Sequence, residues 1–327
     1  MPEIRYNPLL NTYTMVAANR QKRPNMPKDF CPFCPGSGKV PNVYDVWVYP
    51  NDFPTLSLDY EVVDKEMNDE LYESKVAKGV CEVILYSSNH TQSLYQLSLQ
   101  HISKLIETWK TQCELHSQKS EIKYVFPFEN RGEEVGVTMP HPHGQLYAYP
   151  FVPAKLEIEL NNCAQYFEKY KKNMFDSILQ SEQKTNERLV YENAHFYCCI
   201  PHFTDYPFGV FVIAKSQKLH HISMFDVAAI SDLAKAIKYI TTSFELVYNK
   251  PFPYMMCVHQ TPVNEARYEN AALYYRFHIE FYPPLRSENA IKWYAGSEMG
   301  AGAAANTMFV EDTAKTLREI ICSISIE

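Results

Sequence analysis

The sequence lacks any apolar run long enough to span a bilayer. Its first residues, MPEIRYNPLLNTY, lack the basic and apolar regions of a secretion signal. It also lacks a surplus of positive charge. With 31 Lys and Arg against 38 Asp and Glu, the net charge is -7, so the overall field repels a phosphate backbone. The one basic stretch, Arg20-Gln21-Lys22-Arg23, is too short for a duplex-binding face, though it could hold a small anion. These absences point to a cytoplasmic protein that binds neither membrane nor nucleic acid. In that compartment nine cysteines are expected to be reduced, and most of them to serve as small buried hydrophobes.

What is present is a globular composition, 46% hydrophobic and 14% aromatic, in a chain long enough for two domains. Two stretches share one pattern. From Val80 a β-branched strand leads through a polar turn to helical spacing at Leu99, Ile102, Leu105, Ile106 and Trp109. From Pro207 the same order recurs, with the helix at Val227, Ile230, Leu233, Ile237 and Ile240. A recurrence about 130 residues apart is too distant for a solenoid and suits two fused α+β units. Between them KLEIELNNCAQYFEKYKKNMFDSILQSEQKT reads as one long amphipathic helix, so the linker is not Pro/Gly-rich and the halves should pack tightly. Further strands are expected at 43–50, 122–130 and 274–284. In the last, alternation puts Arg276, His278 and Glu280 on one face.

Cys31-Pro32-Phe33-Cys34 places two thiols where both can reach one tetrahedral zinc. A thioredoxin-type redox pair would follow a strand and open a helix, and this pair does neither; two buried thiols is the plainer alternative. The missing ligands must come from far along the chain, with His90 and one of His141 and His143 as candidates. His141-Pro142-His143-Gly144-Gln145 has a second use. In extended backbone the two imidazoles share a face, so one can be pinned while the other meets a ligand. Gly144 admits close approach, and Gln145 offers an uncharged donor. That set suits an imidazole attacking phosphorus with amide donors on the oxygens. Two ligands on one metal is the competing reading.

HPHGQ, with FENRGEEVGVTMP before it and FVP after it, closely resembles the active-site segment of the galactose-1-phosphate uridylyltransferase family, within the histidine-triad superfamily. CPFCPGSGK, YPNDFP, SSNH and EFYPPLRS resemble further segments of that family in order, covering essentially the whole chain. The resemblance implies an α+β fold of two tandem histidine-triad-like domains, each an antiparallel sheet with packed helices, here divided as 1–165 and 166–327. It implies a ping-pong transfer of UMP from UDP-glucose to galactose 1-phosphate, in a homodimer with the active site at the subunit junction. His143 would be the nucleophile and Gln145 would bond the transferring phosphoryl group. Cys31, Cys34, His90 and His141 would hold a structural zinc.

Arg20 and Arg23 would serve the diphosphate, Asn51, Asp52 and Phe53 the uridine, and Asn130 and Thr138 the far side of the nucleotide. Lys292 and Glu298 fall in the hexose-phosphate region, where a tyrosine of other members is Ser297 and GAGAAANTMF lacks their glutamine. A second metal site, for Fe or Zn, would use Glu159, His259, His278 and Glu280, with Glu280 standing where the family has a histidine. The plainer reading of these is a His-Glu hydrogen bond on a strand face. A nucleotide-sugar phosphorylase or adenylyltransferase of the same superfamily is the alternative enzyme, and a zinc-stabilised nucleotide-binding protein without turnover the alternative from another class.

Overall fold

The computed structural model describes residues 2–18, 21, 30–61, 69 and 71–326. A small antiparallel sheet is built from β1 (Glu3–Asn7), β2 (Thr12–Val16) and β4 (Ser74–Val76) in the order β2-β1-β4. The principal sheet has nine antiparallel strands. Its first half comprises β3 (Trp47–Pro50), β5 (Val80–Leu85), β6 (Tyr124–Arg131) and β7 (His143–Tyr149). The second comprises β8 (Leu189–Glu192), β9 (Phe196–Cys199), β10 (Phe211–Ala214), β11 (Tyr254–His259) and β12 (His278–Tyr282). The order is β3-β5-β7-β6-β11-β12-β10-β9-β8, so β6 and β11 join the halves into one continuous sheet. A short hairpin, β13 (Leu285–Ser287) and β14 (Ala290–Ile291), follows.

The registers relate the halves. Gln145 lies opposite Val83 and Phe128, and Glu280 lies opposite Phe211 and Cys257. His143 lies opposite Leu85, and His278 opposite Ile213. Since Phe128 itself pairs with Cys257, the halves are arranged about a pseudo-twofold at the β6–β11 seam, and His143 corresponds to His278.

Alternation along each strand divides the core between two faces. On one, α1 (Leu99–Ser117), α4 (Val227–Val247) and α5 (Val310–Ser323) bury Ile102, Ile106, Ile230, Ile237 and Leu317 against Ile84, Leu146, Cys198 and Val212. Side-chain caps start the first two: Ser98 accepts from the His101 amide and Asp226 from the Ala229 amide. On the other face, Tyr197, Cys199 and Ile213 meet Leu156, Leu160, Phe175 and Leu179 of the connecting segment. That segment is two helices, not one. α2 (Ala154–Tyr170) ends where Lys171 turns left-handed, and α3 (Met174–Thr185) restarts at Asn173, whose side chain accepts from the Phe175 amide. Asn173, a good cap in the middle of an amphipathic pattern, outweighs the continuous periodicity.

Two expected strands are shorter than their patterns. Residues 43–46 remain outside β3, and β12 begins only at His278. Arg276 is fully buried and turned away to Asp176 (2.7 Å) and the Lys215 carbonyl, so it does not join His278 and Glu280. The N-terminal hairpin and α5 are additions that the pattern of the two units did not announce.

The connecting helices reach the first half at Tyr124, the N-terminal segment covers Cys81 and Tyr147, and the loop carrying Cys31 and Cys34 takes the remaining part of that face. Phe33, Val40, Tyr44 and Tyr49 pack there on Val83 and Leu85. Beneath it, on the helical face, the fully buried Tyr86 runs under β7, and a Cβ at Gly144 would lie 2.2 Å from its hydroxyl oxygen. Gly144→Ala should therefore lower stability by about 1–3 kcal/mol through overpacking. Urea unfolding should show part of that loss recovered when Tyr86→Leu is added.

Candidate active site and metal clusters

Strand β7 begins at His143, and the extended backbone before it brings His141 back toward the Cys31–Cys34 turn. The Cys34 sulfur lies 3.4 Å from His90 Nδ1 and 3.8 Å from His141 Nδ1, Cys31 lies 3.6 Å from His141 Nδ1, and the two imidazole nitrogens are 3.4 Å apart. All four donors fall within 4.8 Å of one another. For metal–sulfur and metal–nitrogen bonds of about 2.3 and 2.0 Å, tetrahedral edges come to roughly 3.3–3.7 Å, so the set fits one zinc-sized ion. Burial pushes the His141 imidazole down to about 4, which keeps it neutral and able to ligate, and pushes the Cys31 thiol up to about 11. The other side of His141 is also fixed. Its Nε2–H donates to the Ser87 carbonyl at 2.8 Å, beside the Tyr44 hydroxyl at 3.0 Å.

The His141 carbonyl accepts from His143 Nδ1–H at 2.8 Å. That bond fixes the tautomer, so Nε2 of His143 carries the lone pair. His143 and Gln145 line a cavity of about 350 Å³ together with Asn51, Asp52, Phe53 and Thr138. Its walls include Phe33, Lys39, Tyr49, Val83 and Met139. Tyr147 donates to Gln145 Oε1 (3.2 Å), which turns the amide NH₂ toward donation. Asp52 accepts from Lys39 and from Tyr49, both at 2.9 Å, and Asn51 accepts from the Phe53 amide in a tight turn. Lys39, Tyr49 and Met139 fall inside CPFCPGSGK, YPNDFP and FENRGEEVGVTMP, but nothing in those segments gave them a role.

A second cavity, of about 600 Å³, lies on another side of His143 and is lined by Asn130, Arg131, Glu133, Thr138 and His141. Asn130 thus belongs to this cavity, and Thr138 to both. Arg20 and Arg23 lie outside the described residues. Lys292 and Glu298 line neither cavity. Lys292 donates to the Asp205 carbonyl among Tyr206 and Tyr294, and Glu298 accepts from the Ala295 amide of its own turn.

The second cluster sits at the pseudo-twofold counterpart of the first cavity's floor. Glu159 Oε2 lies 2.9 Å from His259 Nδ1, and Glu280 Oε1 lies 3.3 Å from His278 Nε2 and 3.8 Å from His259 Nδ1. The donors lie within 4.8 Å of one another, with both imidazoles buried. His278 Nδ1–H donates to the Arg276 carbonyl and Tyr275 donates to Glu159. Two imidazole nitrogens and two carboxylate oxygens with this support could hold a divalent cation.

The site is thus an imidazole aligned beside an amide at the mouth of a nucleotide-sized pocket, on a sheet assembled from two tandem α+β halves. Such a site is fitted for group transfer rather than for binding alone. Residues 1–153 match the N-terminal domain of galactose-1-phosphate uridyl transferase and residues 159–325 its C-terminal domain. The galactose-1-phosphate uridylyltransferase of Thermotoga maritima is 37% identical over 98% of both chains, and that of Schizosaccharomyces pombe 31% identical over 97% of this chain and 94% of its own. A solved uridylyltransferase structure superposes with a TM-score of 0.89 at 28% identity, covering 99% of each chain. The chain belongs to the galactose-1-phosphate uridylyltransferase family and is a transferase. An ADP-glucose phosphorylase from Arabidopsis thaliana, solved with ADP-glucose bound, matches with a TM-score of 0.75 and 25% identity over the full length of both chains.

Two measurements follow from this geometry. Cys34→Ser should lose about one equivalent of zinc-like metal per chain, read by elemental analysis, together with a fall in melting temperature. Unchanged metal content and melting would remove the first cluster. On the helical face, Glu129 is buried, accepts from Tyr254 and lies against Tyr86, and burial raises its carboxyl to about 7. A folded-state value above the unfolded one means that Glu129 contributes stability below about pH 4.5, which is lost as pH rises through about 7. Glu129→Gln should flatten that decline and raise stability at pH 8 by up to about 3 kcal/mol, measured by urea unfolding across pH.

Proposed function

We propose that the protein is a UDP-glucose:hexose-1-phosphate uridylyltransferase, exchanging UMP between UDP-glucose and galactose 1-phosphate through a uridylyl-histidine at His143. The observation that carries the reading is the 2.8 Å bond from His143 Nδ1–H to the His141 carbonyl, which gives Nε2 the lone pair at the mouth of the pocket. In the first half-reaction His143 Nε2 attacks the α-phosphorus of UDP-glucose. The bond from that phosphorus to the bridging oxygen breaks, and glucose 1-phosphate departs with the electron pair. A phosphate oxygen of galactose 1-phosphate then attacks the same phosphorus, the P–N bond breaks, and UDP-galactose leaves with the imidazole restored. The Gln145 amide donates to the phosphoryl oxygens as charge shifts onto them.

In-line displacement needs room on opposite sides of phosphorus, and His143 borders two cavities. The smaller, with Asn51, Asp52 and Phe53, takes the uridine: a ring for the base and polar groups for the ribose. The larger, with Asn130 and Thr138, takes the far side of the nucleotide and leads to the sugar phosphate. Arg20 and Arg23 serve the diphosphate. Lys292 and Glu298 gain a role at the hexose phosphate if they belong to the site of the other subunit in a homodimer. Zinc held by Cys31, Cys34, His90 and His141 is structural: it fixes His141 and supplies no reactive group. Glu159, His259, His278 and Glu280 hold a second ion, Zn or Fe, remote from the nucleophile. The domains divide near residue 165, each half a histidine-triad-like unit, and the enzyme works in the cytoplasm.

The likeness to an ADP-glucose phosphorylase supports one competing reading, in which phosphate rather than a hexose phosphate collects the nucleotide. Intact mass after mixing with UDP-glucose, and in parallel with ADP-glucose, separates the two. A UMP adduct mapped to His143 is expected. An adduct with ADP-glucose alone would transfer the reading to the phosphorylase, and no adduct with either would leave nucleotide binding without turnover. His143→Ala should form no adduct and lower exchange by on the order of 10⁴-fold or more with the fold intact.

A further inference from the structure

Lys155 stands in the first turn of α2, where the helix dipole favours an acid and disfavours a cation. Its surroundings account for it. Glu159 is one turn on along the same helix face, and the Lys155 ammonium donates to Glu280 Oε2 at 2.7 Å and to the Tyr282 hydroxyl at 2.5 Å. Tyr282 in turn donates to that same Oε2. The Glu280 carboxylate is therefore divided: Oε2 is taken by a lysine and a phenol, and only Oε1 faces His278 and His259. Glu280 itself is almost fully buried, whereas much of the lysine side chain stays at the surface, so the cation reaches inward to this one oxygen.

A carboxylate that can swing both oxygens onto a cation raises its coordination number, and one whose second oxygen is held elsewhere supplies a single donor. In the structure four donor atoms converge, one from each residue: Glu159 Oε2, His259 Nδ1, His278 Nε2 and Glu280 Oε1. Four N and O donors suit tetrahedral zinc, whereas iron sites use more positions. The charges agree. Two carboxylates neutralise one divalent ion, and Lys155 offsets the negative charge that the second carboxylate would otherwise bury before the ion arrives.

We propose that Lys155 is a positioning residue that holds Glu280 as a one-oxygen ligand and so fits the second cluster to a four-coordinate zinc ion. This rests on the reading of Glu159, His259, His278 and Glu280 as a metal site. The test compares the full-length protein with Lys155→Met and Lys155→Arg, each produced with zinc and iron both supplied. Metal per chain is counted by elemental analysis, zinc affinity is measured by competition with a chromophoric chelator, and cobalt(II) replacement is read by its d–d absorption, intense in four-coordinate sites and weak in higher ones. Thiolate-to-cobalt charge-transfer bands mark the Cys31–Cys34 site separately.

The expected result is two zinc ions in the parent, with one bound about 10- to 100-fold more weakly in Lys155→Met. The four-coordinate cobalt signal without thiolate bands should fall with it, and Lys155→Arg should restore both. A Lys155→Met protein with the parent's zinc affinity and cobalt spectrum would overturn the role of Lys155 while leaving the metal site standing, as would an arginine variant that behaves like methionine. A parent protein with metal only at the thiolate site would overturn the metal reading and this inference together.

Discussion

The hydrogen bond from His143 Nδ1–H to the carbonyl of His141 organises the site. Its acceptor is held because His141 is gripped on both ring nitrogens, with Nδ1 among the cysteine and histidine donors and Nε2–H on the Ser87 carbonyl. Pro142 stiffens the backbone between the two imidazoles, and the Ser87 carbonyl belongs to the segment just after β5, which pairs with β7. Position, tautomer and direction of the His143 ring thus follow from the groups behind it. An isolated imidazole would spend most of its time misaligned, and orientation is a large share of what a transferase supplies.

The pseudo-twofold shows two solutions to one geometry. In the first half, His90 and His141 belong to the candidate metal cluster, and His143 and Gln145 face the cavity instead. In the second half the position corresponding to 143 is His278 and that corresponding to 145 is Glu280, and both belong to the cluster themselves. Arg276, two residues before His278 as His141 is before His143, is turned away to Asp176. The two halves thus use equivalent strand positions differently: His143 and Gln145 line a cavity, whereas His278 and Glu280 join a candidate metal cluster.

Much of this was legible in the sequence. The 130-residue recurrence announced two like units, since hydrophobic periodicity reports burial directly. The pairing of Cys31-Cys34 with His90 and the HPHGQ segment announced which side chains would come together, because few residue types suit such a cluster. The break at Lys171–Asn173 was hidden inside an unbroken amphipathic pattern and depends on a single cap. Lys155 could not be read at all: a lysine in a helical first turn looks like a solvated surface charge until β12 brings Glu280 and Tyr282 beneath it. Tyr49 and Met139 lie inside segments that resemble the family, yet their places at the cavity were not readable there, because they are set by what folds opposite them. The continuity of the sheet across β6 and β11 was likewise beyond reach, because strand order is decided by long-range pairing.

The gap at Gly144 has a consequence for how the chain finds its register. Slipping β7 by one residue along β5 would turn His143 to the helical face, and the alternation of buried and polar positions forbids that. A slip by two residues preserves the alternation and would satisfy the hydrophobic pattern nearly as well. It would also bring Pro142 or Leu146 over the Tyr86 phenol, where there is no room even for a methyl group. The glycine and the tyrosine together therefore exclude from the folded sheet the register errors that its own periodicity would accept, and His143 is set against its pocket.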